Sequence, residues 1–278
     1  MGSISILCDS GCDIPDNWRQ RLNIGLVSLS IRFGDEEFTD RVTLSPAQFW
    51  ERCAAAPSLP ETAAPSPGAF LAAYEAAADS GATGIIVVTI SAALSATFES
   101  ARLAAEGFDR IPVFVLDSRA VSMAQGLLAI ELAERAQAGA DFDELVALAR
   151  TLPDKVGVEA MLATLEHLIK GGRIGGAKAL IGQVLAIKPL LRLKDGLVTE
   201  AGRQRTTTKA LRALVEAAAQ HQPLSRISVV HANSPEVATL TAMLAEIPVA
   251  HPLIVADIGP TVGTHGGPGL IGVTWLEA

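Results

Sequence analysis

Apolar and polar positions change period several times along the chain. Ile4-Ser5-Ile6-Leu7-Cys8 is a short apolar run ending at Asp9 and reads as a strand. Residues 25–33 set Leu26, Ser28 and Ser30 against Val27, Leu29 and Ile31, and this two-residue period predicts one strand from Gly25 to Phe33. A short helix is predicted over Pro46–Ala56, with proline in its first turn, and another over Pro67–Ser80, closed by Gly81. Ile85–Ile90 is an unbroken aliphatic run, the pattern of a parallel strand buried on both faces. A helix over Leu94–Glu106, a buried strand over Val113–Leu116 and helices over Val121–Gln137 and Phe142–Leu152 complete this half. Strand–helix alternation predicts an α/β domain built on a parallel sheet. Asp9, residues 91–97 and Asp117 then follow strand carboxyl ends, the edge at which open α/β sheets bind ligands.

Beyond Pro153 the pattern changes. Glu159–Ile169 reads as a helix, followed by Gly171-Gly172-Arg173-Ile174-Gly175-Gly176, a short helix over 177–184 and a strand over Ile187–Leu193. Lys194-Asp195-Gly196 between apolar runs signals a hairpin into Leu197–Thr199. Then come a helix over Thr206–Gln220, a strand over Arg226–His231, a helix over Pro235–Glu246, and strands over His251–Ala256 and Leu270–Trp275. This order predicts an α+β second domain with a mixed or antiparallel sheet, so the expected division is 1–152 and 153–278. Ahead of the last strand, Gly259–Gly269 packs five glycines and two prolines around His265. It reads as a loop that prolines stiffen and glycines allow close to a ligand, holding His265 in place. The plainer reading is a tight connection with an exposed histidine.

Composition narrows the function. Hydrophobic residues make up 49% of the 278 positions and aromatics 4%, so the core is aliphatic and ample for one large domain or two smaller ones. A net charge of −8 offers no basic face for nucleic acid and no charge-driven attraction to anionic lipid. No apolar run reaches membrane-spanning length, and the N-terminus lacks a signal-peptide pattern. Three cysteines, Cys8, Cys12 and Cys53, fit a reducing compartment. A cytoplasmic protein without integral membrane association is expected. His167, His221, His231, His251 and His265 form no metal-binding pair, and neither metal nor cofactor is expected.

Most standard catalytic patterns fail. Gly171–Lys178 departs from the phosphate-binding loop, because Ala177 precedes the lysine and Ala179 follows it. Asp9 and Asp13 lie too far apart for an aspartyl phosphotransferase pair, and no G-x-S-x-G is present. What remains is rich in hydroxyls: Thr62-Ala63-Ala64-Pro65-Ser66 and Ser91-Ala92-Ala93-Leu94-Ser95-Ala96-Thr97, each ahead of a predicted helix. Helix N-termini favour anions, while Ser66 and Ser95 also suit plain N-capping. With His265 they suggest a small carboxylate or phosphate site. An alternative is a hydrolase or phosphotransferase with Ser95 as nucleophile and His265 as base, although no third group stands out to orient the histidine.

In order along the chain, Asp9-Ser10-Gly11-Cys12-Asp13-Ile14-Pro15, Thr62–Ser66, Ser91–Thr97, Asp117–Gly126, Leu168-Ile169-Lys170-Gly171-Gly172-Arg173-Ile174, Lys188-Pro189-Leu190-Leu191, Arg205-Thr206 and His265-Gly266-Gly267-Pro268-Gly269 resemble the DegV family of fatty-acid-binding proteins. The resemblance covers nearly the whole chain. It implies an α/β first domain, an α+β second domain and a long-chain fatty acid such as palmitate, stearate or oleate between them. It further implies that Thr62, Ser95 and His265 bind the carboxylate, with Ser66, Ser91 and Gly266 nearby. The acyl chain would enter a tunnel in the second domain. The protein itself would perform no chemistry. It would present its ligand to the ATP-binding subunit of a fatty acid kinase, with Arg173 and Arg205 as candidate contacts. Arg173, between glycine pairs, reads otherwise as a solvated loop charge, and neutral donors suffice for the head group. Ala63-Ala64 in place of Ser-Gln, and Ala96 in place of glycine, depart from the family pattern.

Overall fold

A computed structural model describes residues 3–180 and 187–278. The first half builds β1 (Ser3–Asp9), α1 (Asp16–Arg21), β2 (Gly25–Val27), β3 (Ser30–Phe33), β4 (Glu36–Thr39), α2 (Pro46–Ala55), β5 (Glu61–Ala63), α3 (Pro67–Asp79), β6 (Ala82–Thr89), α4 (Thr97–Glu106), β7 (Val113–Asp117), α5 (Met123–Gln137) and α6 (Phe142–Thr151). Strands β2-β1-β6-β7 form a parallel sheet in that order. Leu7, Val27, Ile85 and Val87 face α3 and α4, while Ile6, Cys8, Ile86 and Val88 face α5. Burial on both faces explains the unbroken aliphatic run of β6.

The expected single strand over 25–33 is two strands in different sheets. The second of them, β3, centres a small antiparallel sheet in the order β4-β3-β5. Ile31, Leu44 and Phe49 fill the core beneath it, with Trp50 packed alongside. The sequence pattern gave no signal for β4, β5 or α1, which are short and largely exposed on one face.

The remaining elements are β8 (Val156–Met161), α7 (Glu166–Lys170), β9 (Lys188–Lys194), β10 (Leu197–Gln204), α8 (Thr207–Ala219), β11 (Leu224–His231), α9 (Val237–Leu244), β12 (Ile254–Asp257), α10 (Pro260–Gly266) and β13 (Ile271–Glu277). They form a six-stranded mixed sheet in the order β10-β9-β8-β13-β11-β12. The helix expected over Glu159–Ile169 is instead β8 followed by the single turn of α7. Residues 175–180 form a 3-10 segment, and the rest of the helix expected over 177–184 lies outside the described residues. The hairpin at Asp195-Gly196 forms, with β10 longer than expected. One face of this sheet packs on α8 and α9. The other packs on α5, which lies between the two large sheets and contacts β1 and β6 on one side and β8, β11 and β13 on the other. The architecture is therefore α/β with a parallel first sheet and a mixed second sheet, sharing one aliphatic core around α5.

Candidate functional site

The glycine-rich segment around His265 is a helix, α10, rather than a loop. Gly263 makes this packing achievable: a side chain there would press on Phe49 and Trp50 of α2. The N-terminus of α10 is held by two buried carboxylates, Asp13 and Asp40, with Asp9 close by. Asp13 accepts from the Gly259 amide at 2.8 Å, from Ser122 Oγ at 2.6 Å and from Arg41 at 3.0 Å. Asp40 accepts from the Thr261 amide at 3.2 Å and from the Thr261 hydroxyl. Asp9 accepts from the amides of Gly11 and Ile90 and from Gln125 Nε2. Burial pushes Asp9 and Asp40 up to about 6, against the pull of these donors, and raises Asp13 as well. Ser122 takes φ 57° and ψ −146°, a conformation costing a non-glycine residue roughly 1–3 kcal/mol, to reach Asp13.

At the other end of α10, His265 Nε2 and Thr62 Oγ1 share a hydrogen bond of 2.9 Å. Thr62 is fixed by β5, where it pairs with Ile31. His265 Nδ1 is buried without a partner. Gly171 lies against that atom so closely that any side chain at 171 would collide with it. Burial, then the charge of Arg173, then His167 hold the imidazole down at about 4, so it is neutral near pH 7. His167 itself is buried and donates from Nδ1 to the Thr264 carbonyl at 3.0 Å.

His265 and Thr62 line an apolar cavity of about 800 Å³, counting its open mouth. Ser95, Arg173 and Gly266 also line it. Its walls are mostly aliphatic: Ile90, Leu94 and Val121 from the first half, and Val158, Ala160, Leu162, Leu191, Leu193 and Val198 from β8, β9, β10 and their ends. Alternation along β8 and β9 turns Ala160 and Leu191 into the cavity, and Arg192, joined to its register partner Glu159 by a 2.8 Å ion pair, lines it as well. Such a space, mostly apolar with a few polar groups in its lining, suits a long apolar ligand with a polar head.

The DegV family model, described as an uncharacterised protein family, matches residues 3–278. This chain belongs to the DegV family. A DegV domain-containing protein of Streptomyces coelicolor is 36% identical over 97% of both chains. A fatty-acid-binding DegV family protein from Thermus thermophilus superposes with a TM-score of 0.91 at 31% identity, covering 99% of this chain and 100% of the other. DegV of Bacillus subtilis, a fatty acid binding protein, gives 0.88 at 30% identity, with 99% of each chain covered.

Within this DegV-family chain, Thr62, Ser95, His265 and Gly266 come together at the cavity, and Ser66, Ser91 and Arg205 do not line it. Ser66 caps α3 through the Ala69 amide at 3.2 Å. Ser91 is buried and donates to the Gly196 carbonyl at 2.9 Å, tying the β9–β10 hairpin to the first half. Arg205 is exposed after β10. Arg173 is not the solvated loop charge expected from its glycine neighbours. It is half-buried, donates to the carbonyls of Leu94 at 3.2 Å and Gly171 at 2.6 Å, and lines the cavity. The site therefore contains a guanidinium where neutral donors alone were expected. The nucleophile–base pairing of Ser95 with His265 is not formed: the histidine's partner is Thr62, and Ser95 shares a 2.8 Å hydrogen bond with Thr97. Ala63, Ala64 and Ala96, the departures from the family pattern, are not among the lining residues. Among the described residues no group of three His, Cys, Asp or Glu side chains is placed to share a metal ion, and no helix is long and apolar enough to cross a membrane.

Proposed function

We propose that this protein binds one long-chain fatty acid, such as palmitate, stearate or oleate, with its carboxylate at Thr62, Ser95 and His265 and its acyl chain in the aliphatic cavity. The observation that carries this reading is the cavity itself, which is mostly aliphatic and lined also by the hydrogen-bonded Thr62–His265 pair and by Arg173. Each buried methylene contributes about 0.8 kcal/mol. A chain of about 15 methylenes gains roughly 12 kcal/mol before the costs of association. The head group then needs orientation more than binding strength. The Arg173 charge beside His265 favours an anion. The fatty-acid binding of the similar proteins from Thermus thermophilus and Bacillus subtilis supports the same ligand.

The finer reading is that a cytoplasmic carrier, divided near residue 152, presents the carboxylate to a separate ATP-binding kinase subunit that makes the acyl phosphate. Arg173, which lines the cavity, and exposed Arg205 are the residues we assign to that contact. Organic extraction of purified protein followed by gas chromatography tests the ligand. Near-stoichiometric fatty acid is the expected result. No retained lipid, together with no binding of added palmitate or oleate, would contradict the reading.

A further inference from the structure

The far end of the apolar cavity decides which acyl chains fill it, and two side chains mark that end. Val158 of β8 and Leu193 of β9 line the cavity. They also line a second pocket, together with Arg119, Asp154 and Asp195. Arg119 and Asp154 form an ion pair with side chains 40% and 74% exposed, so this second pocket is charged and faces water. Val158 and Leu193 are thus a thin partition between apolar space and hydrated space.

Position along β8 puts this partition away from His265. Leu162 also lines the cavity and leads into α7, which packs against the helix that carries His265. Four residues of extended chain separate Leu162 from Val158, or about 13 Å at the rise of a strand. The hairpin following Leu193 is anchored by the bond from Ser91 to Gly196. The partition is therefore backed by a fixed element.

We infer that Val158 and Leu193 form the end wall that sets the longest acyl chain this protein binds well, an inference that rests on the fatty-acid reading of the cavity. Every methylene added within the cavity raises affinity about fourfold. A methylene pushed against the wall must displace packed side chains or enter the charged pocket, so the gain stops there. Affinity rises with chain length and then breaks, and the wall fixes where.

The test is a series of straight-chain saturated acids from myristate to behenate, titrated by competition against a fluorescent fatty acid on delipidated full-length protein. The wild type should show a break in the series. The double variant Val158→Ala/Leu193→Ala should move the break to longer acids, each methylene that fits the vacated side-chain space adding about fourfold before the charged pocket ends the gain. Leu193→Phe should move it to shorter acids, an opposite shift that a loosened fold would not mimic. Circular dichroism melts verify that each variant is folded. Binding with a break that neither folded variant moves, or with no break at all, overturns this inference alone. Wild-type protein that binds none of the acids overturns the fatty-acid reading and the inference with it.

Discussion

Helix α10 carries a polar cluster at each end, and the two clusters use their hydrogen bonds differently. At the N-terminal end, Asp9, Asp13 and Asp40 are buried, and each holds two or more donors from backbone amides, hydroxyls, Gln125 or Arg41. Single atoms such as Asp40 Oδ1 go unpartnered, yet every carboxylate is committed to the protein's own chain. At the C-terminal end, His265 has one side-chain partner, Thr62, and a buried Nδ1 with none. Beside it lies an aliphatic cavity with room for a ligand. The same short helix is therefore fastened at one end and left short of partners at the other. Buried polar groups cost stability unless paired. Where the pairing is internal the cluster is architecture, and where it is incomplete beside open space a ligand can finish it.

Breaking the fastened end should have the largest effect. Asp13→Ala leaves the half-buried guanidinium of Arg41 and the amide of Gly259 without their carboxylate. Removing one partner of a buried pair costs about 3–5 kcal/mol. Urea denaturation should show that loss, and a loss below about 1 kcal/mol would mean the aspartate cluster does not hold α10. At the open end the expectation is reversed. Thr62→Val and Ser95→Ala should each weaken fatty acid binding about ten- to a hundredfold, from a lost hydrogen bond to a charged group. Their stability should stay within about 1 kcal/mol of wild type. Calorimetric titration with unchanged affinity in both would move the carboxylate elsewhere.

The two ends also oppose each other in pH. Asp9 and Asp40, pushed up to about 6 by burial, keep protons that the unfolded chain has already released. Their contribution to stability falls as pH rises through 6 and is complete only below the ordinary carboxylate range near 4. His265, held down at about 4, works the other way: below about 6.5 the unfolded chain takes up its proton first, and stability drops on acidification. Two carboxylates outweigh one imidazole, so the thermal midpoint should rise between pH 7 and pH 5. The gain should be on the order of 1 kcal/mol, and Asp40→Asn should flatten it. A midpoint falling steadily over that range would contradict this balance.

The fastened end was the harder one to read from sequence. Asp9 and Asp13 stand out after β1, but their donors come from residues as distant as Gln125 and Gly259, which no local pattern connects. The α10 segment looks like a loop because glycine and proline disfavour helices. Contact with Phe49 and Trp50 overrides that preference and requires the glycine at 263. β8 was legible only as a helix. Its apolar positions run on into Leu165 and Leu168 at a helical period, whereas strand pairing with β13 and β9 fixes it as extended. Thr62, Ser95 and His265 were legible by residue type and motif order, and the structure brings all three to one cavity. Arg173 was not, since flanking glycines say nothing of the carbonyls of Leu94 and Gly171 that draw its guanidinium inward.

In the fatty-acid reading, a bound carboxylate completes the open end of α10. The most direct measurement is an NMR titration of the His265 imidazole in delipidated protein and again with oleate bound. Without ligand the imidazole should titrate at about 4, as burial and Arg173 dictate. A carboxylate beside it favours the protonated form, so bound oleate should raise that value. Oleate that binds while the His265 titration stays where it was would contradict the account.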